Sequence, residues 1–271
     1  MQIKIDFTKS AQDNADDYYK KAKRLVQKKA GAEKAIKMLE KRMSGAARAT
    51  SKDTARAQKV ISTEKEWYEK FHWFFTSNGM LVIGGRDAKQ NELLNSRHFE
   101  NGDLFFHANI FGASVTILKN GGGANNEGKE EAAQFAACYS SAWKEALPIV
   151  DVYAMRREQV SKSTGMGSIS TGSFVLKGER EWYRGMALSL VFFVKNERLN
   201  AVPEICFYRI KEKGGAPDSY VLVKEGRAAK SEAAKAICRA LGYGSIDAAM
   251  RQLPAGQFSI NARSAGMRGG D

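Results

Sequence analysis

The chain changes its apolar rhythm once, near residue 71. Before that point the spacing is helical: Tyr18, Leu25, Ala32 and Leu39 repeat every seven residues, with Ala22, Ile36 and Met43 between them and Lys29 as a charged interruption. Such a seam predicts a coiled-coil helix opening at Ser10, roughly 50 Å long at about 1.5 Å per residue. Gly45 breaks the pattern, and Ala57, Val60, Glu64, Trp67 and Phe71 resume it, so residues 1–70 read as an antiparallel helical hairpin.

After Phe71 the period is strand-like. His72–Thr76, the turn Ser77-Asn78-Gly79 and Met80–Ile83 read as a β-hairpin, because Asn-Gly accepts the positive φ values of a tight turn. Gly84 and Gly85 then turn the backbone into Arg86 and Asp87, and Asp87 is a good helix cap. The helix behind it carries Gln90, Asn91 and Glu92, with Leu93 and Leu94 facing the core. Strand Asp103–Phe106 ends on His107, and Ser114 opens another strand to Leu118. Polar groups converge at one edge of this unit.

Further on, Lys129–Ala146 reads as a helix with small residues for close packing, and Val150–Met155 as a buried strand. The loop of residues 163–172, rich in Ser, Thr and Gly, leads to strands Ser173–Lys177 and Ala187–Lys195. Ile205–Ile210 and Tyr220–Val223 read as strands, Ser231–Leu241 and Ser245–Leu253 as short helices, and the tail after Phe258 as loose, with a disordered end. The glycines of Gly121–Gly128 read as a plain connector, since no Lys-Ser or Lys-Thr pair follows them to hold a phosphate.

Charge narrows the function. The 271 residues carry a net charge of +13, which points to a polyanionic partner. Residues 1–70 hold 18 Lys and Arg against 10 Asp and Glu, so most of the excess sits in a basic arm. No apolar run approaches the ~18 residues that span a bilayer, and the first residues lack the apolar core of a secretory signal, so a cytoplasmic protein is expected. Cys138, Cys206 and Cys238 show no paired spacing, and His72, His98 and His107 form no zinc motif. No metal or cofactor is expected.

A nucleic-acid module needs cations for phosphates and planar or amide groups for bases, held on one scaffold. Arg86, Asn91, His107, Lys119, Arg156, Arg157, Lys162 and Lys177 have that chemistry. Blocks at residues 84–92, 102–114, 136–143, 159–162 and 171–178 resemble, in order, the NFACT-R domain of ribosome-associated quality control proteins. Asp6–Ile36 resembles the start of the coiled coil that joins that domain to an N-terminal half. By resemblance, Asp87, Gln90, Glu92, Ser114, Gln159, Ser161, Thr171 and Ser173 join the candidate RNA-binding set.

Pattern and resemblance together imply an α+β fold. A long helical hairpin over residues 1–70 precedes a mixed α/β core over residues 71–200 with a mainly antiparallel sheet, and residues 201–271 form an α/β extension. The resemblance implies binding to transfer RNA or to the RNA of the large ribosomal subunit. It also implies that nascent-chain tailing belongs to an N-terminal half; the chain begins just before the coiled coil, as in a split gene, a short protein or a fragment. A separate N-terminal partner chain and a homodimer through the coiled coil both stay open. Two departures count: Asn109 and Phe111 stand where many family members have Asp and a second His. A phosphodiesterase built on His107, Asp87 and Glu92, or a coiled-coil adaptor, are the alternatives.

Overall fold

The computed structural model describes residues 66–162 and 171–263, with a few isolated positions before residue 27. The chain divides into two compact units, residues 1–64 and 65–271. The expected helical hairpin, the loop 163–170 and the end of the tail from residue 264 lie outside the described residues.

The second unit is α+β, and every strand pair among its described residues is antiparallel. Six strands form the larger sheet in the order β1-β2-β4-β3-β5-β8. They are β1 (His72–Phe75), β2 (Leu81–Gly84), β3 (Leu104–Ala108), β4 (Thr116–Leu118), β5 (Ile149–Arg156) and β8 (Glu181–Ala187). Between β5 and β8, β6 (Val160–Ser161) and β7 (Val175–Leu176) pair as a short ribbon. The expected β1–β2 hairpin forms, with Gly79 at φ 81° in its turn.

Both faces of the large sheet are covered, which explains why its strands read as apolar runs rather than as alternating patterns. Leu104, Phe106 and Ala108 face one core, together with Val152 and Ala154 of β5. Phe105, Tyr153 and Met155 face a second, smaller one with Leu94 and Phe99. Helix α1 (Ala88–Leu93) and the π-turn behind it bear on the smaller core. The larger core is filled by α2 (Asn126–Cys138), whose Ala132, Ala133, Ala136 and Ala137 are fully buried. Small side chains there let the helix lie close to the sheet. The helix is shorter than the expected Lys129–Ala146. Tyr139 leaves helical geometry, and Ser140 caps a separate 3-10 turn, Ser141–Trp143.

The smaller sheet runs β10-β9-β11-β12, built from β9 (Ser189–Lys195), β10 (Arg198–Pro203), β11 (Tyr220–Ala229) and β12 (Gln257–Arg263). Helices α3 (Glu204–Glu212), α4 (Lys230–Leu241) and α5 (Ile246–Gln252) accompany it. Three expectations change here. Ile205–Ile210 is helical, because Pro203 sets the backbone for a helix start and Cys206, Phe207 and Ile210 bury one helical face. The segment after Phe258 is a strand, because β11 offers it a free edge. The boundary drawn at residue 200 cuts β10, whose partner β9 lies on its other side.

Candidate functional site

The turn from β2 into α1 is held by groups that the chemistry-bearing motif itself supplies. Asp87 caps α1, its Oδ1 accepting from the Gln90 N–H at 2.9 Å. Asn91 is buried, and its Oδ1 accepts from the Val115 N–H at 3.1 Å. Gly85 packs against that amide so tightly that an added Cβ would stand 2.9 Å from the Asn91 nitrogen and closer still to its Oδ1. The Ser114 hydroxyl donates to the Gly85 carbonyl. Arg86 donates to the carbonyls of Arg251 at 2.8 Å and Phe71 at 2.9 Å, tying the turn to α5 and to the start of β1.

Beside this turn the end of β3, the loop 109–114, the C-terminal end of α2 and the segment 171–174 enclose a groove of about 780 Å³. His107 and Tyr153 line it, with the Tyr153 hydroxyl 3.3 Å from His107 Nδ1. Phe111 stands at its rim 97% exposed, its carbonyl accepting from the Ser141 hydroxyl at 2.5 Å, and Gly112 at φ 76° turns the chain behind it. The charged side chains lining the groove, the histidines apart, are Arg86, Lys144, Arg180 and Asp87. Three cations against one carboxylate suit an anion.

Arg86, Asp87, Asn91, His107, Ser114, Thr171 and Ser173 of the expected set line this groove. Gln90 and Glu92 do not. Gln90 accepts from the Arg86 N–H and donates to the Lys70 carbonyl. Glu92 pairs with Lys162 at 2.5 Å and accepts from the Gly172 N–H, which pins Gly172 against α1. Lys162 also donates to the Ser173 carbonyl. Lys119 is committed to Asp103 at 2.6 Å and Glu100 at 2.8 Å between β3 and β4. Gln159 closes the β6–β7 ribbon through the carbonyls of Lys177 and Glu179. Arg157 donates to the Val160 carbonyl and lies over Phe99. Arg156 and Lys177 are exposed and, like Ser161, do not line the groove.

Lys144, Arg180, Tyr153 and Phe111 lie outside the expected set. Both cations are exposed, and no ion pair involves either among the described residues. Arg180 lies 4.6 Å over the Tyr153 ring. Phe111 does carry a signal: an apolar residue inside a polar corner is unusual enough to mark. Lys144 and Arg180 carry none, because each sits in a stretch whose path only tertiary packing sets.

All three histidines are shifted below their ordinary value, His98 by partial burial and the charges of Lys70, Lys119 and Arg97. Burial pushes His72 well below its ordinary value of 6.5, helped by the charges of Arg86 and Lys230, and its ring stacks on Tyr139 at 4.0 Å. Burial also lowers His107, outweighing the backbone contacts at Ala108 and Ala113 that raise it, and Arg180 adds to the lowering. The unfolded chain takes up protons near pH 6.5 that the folded chain refuses. The stabilisation is therefore complete above that pH and is lost as the pH falls below it. The unfolding free energy, read from urea titrations, is expected to drop between about pH 7 and pH 5.5, by up to roughly 1.4 kcal/mol per pH unit for each buried histidine. His72→Phe, which keeps the stack on Tyr139, should flatten that profile; parallel profiles for the two proteins would refute the assignment.

Part of the chain is similar in sequence to known proteins. The family model for the NFACT protein RNA binding domain matches residues 70–178. The archaeal Rqc2 homolog aRqcH of Methanocaldococcus jannaschii is 40% identical over 141 residues, 51% of this chain and 21% of that protein. The human ribosome quality control complex subunit NEMF is 35% identical over 192 residues, 67% of this chain and 18% of that protein. The Drosophila melanogaster NEMF homolog is 35% identical over 202 residues, 70% of this chain and 20% of that protein. The chain thus spans about a fifth of the length of these relatives. The C-terminal structure of a Streptococcus suis fibronectin/fibrinogen-binding protein covers 49% of this chain and 50% of its own at 22% identity and a TM-score of 0.38, too loose to carry an argument. Residues 70–178 of this chain are an NFACT-R domain, the RNA binding domain that it shares with ribosome quality control proteins.

Proposed function

We propose that this chain binds RNA on the large ribosomal subunit during ribosome quality control, through the groove between β3, the loop 109–114 and the segment 171–174. Transfer RNA and subunit RNA are the partners, reached in the cytoplasm, and the basic residues 1–70 act as an arm toward the ribosome. The observation that carries this reading is the groove itself. It joins a fully exposed aromatic ring, Phe111, to two cations, Lys144 and Arg180, that enter no ion pair among the described residues. Phosphates meet the cations and an unpaired base meets the ring, which is the pairing of chemistries that RNA recognition uses.

Arg86, Asn91 and Ser114 support the site by holding its wall, since their side chains are engaged with backbone groups. The test is co-sedimentation with large subunits, with and without peptidyl-transfer RNA, over a salt series. Lys144→Gln with Arg180→Gln should weaken binding and reduce the slope of log affinity against log salt by about one for each phosphate left without its cation. Equal slopes for the double variant and the parent would remove the groove from the RNA path. Equal binding to every RNA offered would leave a basic module without quality-control selectivity.

A further inference from the structure

Beyond the groove, the outer strand of the large sheet presents aromatic and guanidinium groups in register. Across β3, β5 and β8 the pairing sets His107 opposite Tyr153, and Tyr153 opposite Trp182. Their rings lie 5.8 Å and 5.5 Å apart. Arg180 covers Tyr153 at 4.6 Å and reaches Trp182 at 5.8 Å, while Arg184 lies 4.1 Å over the Trp182 ring. The row therefore leaves the groove at Arg180 and continues along β8, the edge strand.

Arg184 is held in place by built features. The β5–β8 ladder shifts register between Val150 and Val152, where Arg184 and Gly185 bulge from β8 opposite Asp151. One carboxylate oxygen of Asp151 accepts from Arg184 at 2.6 Å and the other from the Gly185 N–H at 2.9 Å. Gly185 takes φ 63°, a value that suits glycine. The bulge and the carboxylate thus orient a guanidinium on an indole at the surface, where the Arg184 side chain is 63% exposed. Burial alone would not require that arrangement. Trp182, Arg184 and Arg180 all lie outside residues 70–178.

We propose that Arg180, Trp182 and Arg184 form a stacking track that takes unpaired bases of single-stranded RNA as the strand leaves the groove. The inference rests on the RNA-binding reading above and adds the class of RNA. Flat guanidinium and indole faces accept any base whose own face is free, and a base inside a duplex has neither face free. Arg184 is already neutralised by Asp151, so its contribution is stacking rather than charge. That separates it from Lys144, whose contribution falls with salt.

The test uses the full chain with a short single-stranded RNA and a blunt duplex of the same length, followed by fluorescence anisotropy and tryptophan emission. The parent should bind the single strand more tightly than the duplex, and binding should quench tryptophan. Trp182→Leu and Arg184→Gln should each weaken single-strand binding by about tenfold without changing the salt slope, and leave duplex binding as it was. Arg184→Lys should not restore it, because a lysine keeps charge but not the plane. Because Trp182 also packs on the smaller core, Arg184→Gln decides the question if Trp182→Leu lowers the melting temperature. Single-strand affinity unchanged in Arg184→Gln, or a parent that binds duplex and single strand alike, overturns the track while leaving RNA binding intact. A parent that binds no RNA overturns the underlying reading and the track with it.

Discussion

Glu131→Ala is expected to lower the stability of the second unit by about 3–5 kcal/mol, the usual cost of breaking a buried, hydrogen-bonded charge pair. The carboxylate is fully buried on α2. Its Oε2 accepts from the Ser77 N–H and its Oε1 from the Ser77 hydroxyl, both at 2.7 Å, and Arg209 of α3 donates to Oε1 at 3.3 Å. One side chain therefore joins the β1–β2 turn, α2 and α3. Alanine would take the buried acceptor away from the half-buried Ser77 N–H and hydroxyl, and would leave Arg209 with Glu130. Urea unfolding reads the effect as a lower midpoint at unchanged slope. Glu131→Gln, which keeps an acceptor for Ser77, should be less destabilising. A change below about 1 kcal/mol for alanine would mean that water takes over the bonds at Ser77.

Gly85→Ala should cost about 3 kcal/mol, at the upper end of what one forced methyl does in a packed site, and should abolish RNA binding at the groove. The new Cβ meets Asn91 from two sides, its backbone nitrogen at 2.9 Å and its amide oxygen closer. Neither gives way cheaply: the nitrogen belongs to α1, and the oxygen is held by the Val115 N–H. Relief has to come from the β2–α1 turn itself, which carries Arg86 and, through the Ser114 hydroxyl, the loop behind His107. Circular dichroism melts and RNA anisotropy on the same variant separate the two effects. Adding Asn91→Ser should recover part of the stability and show a coupling between the sites. Gly85→Ala binding RNA like the parent would detach the turn from the site.

Most of the polar residues in this motif serve the fold. Asp87 caps a helix, Asn91 clamps a turn, Lys119 neutralises two carboxylates and Gln159 closes a ribbon. In the proposed reading the ligand face falls to exposed side chains that the fold does not engage in this way: Phe111, Lys144 and Arg180. For catalysis by His107, Asp87 and Glu92, the obstacle is position: Glu92 is drawn off to Lys162 and does not line the groove.

Local features are legible in the residues alone. The Asn-Gly hairpin, the Asp87 cap, the alanine face of α2 and the blocks of NFACT-R resemblance all follow from residues close together in the chain, where sterics and hydrogen bonding act over a few positions. Three things come only from long-range packing. β8 is unreadable because a bulge and Gly185 break its alternation, and β12 is a strand because β11 has an edge to fill. The third is which polar groups remain open to a ligand. Arg86 and Lys144 look alike in sequence, yet one is bonded to carbonyls of Phe71 and Arg251 and the other stands open to solvent. A side chain's availability depends on what bonds to it across the fold, and partners 15 and 165 residues away leave no mark on the local pattern.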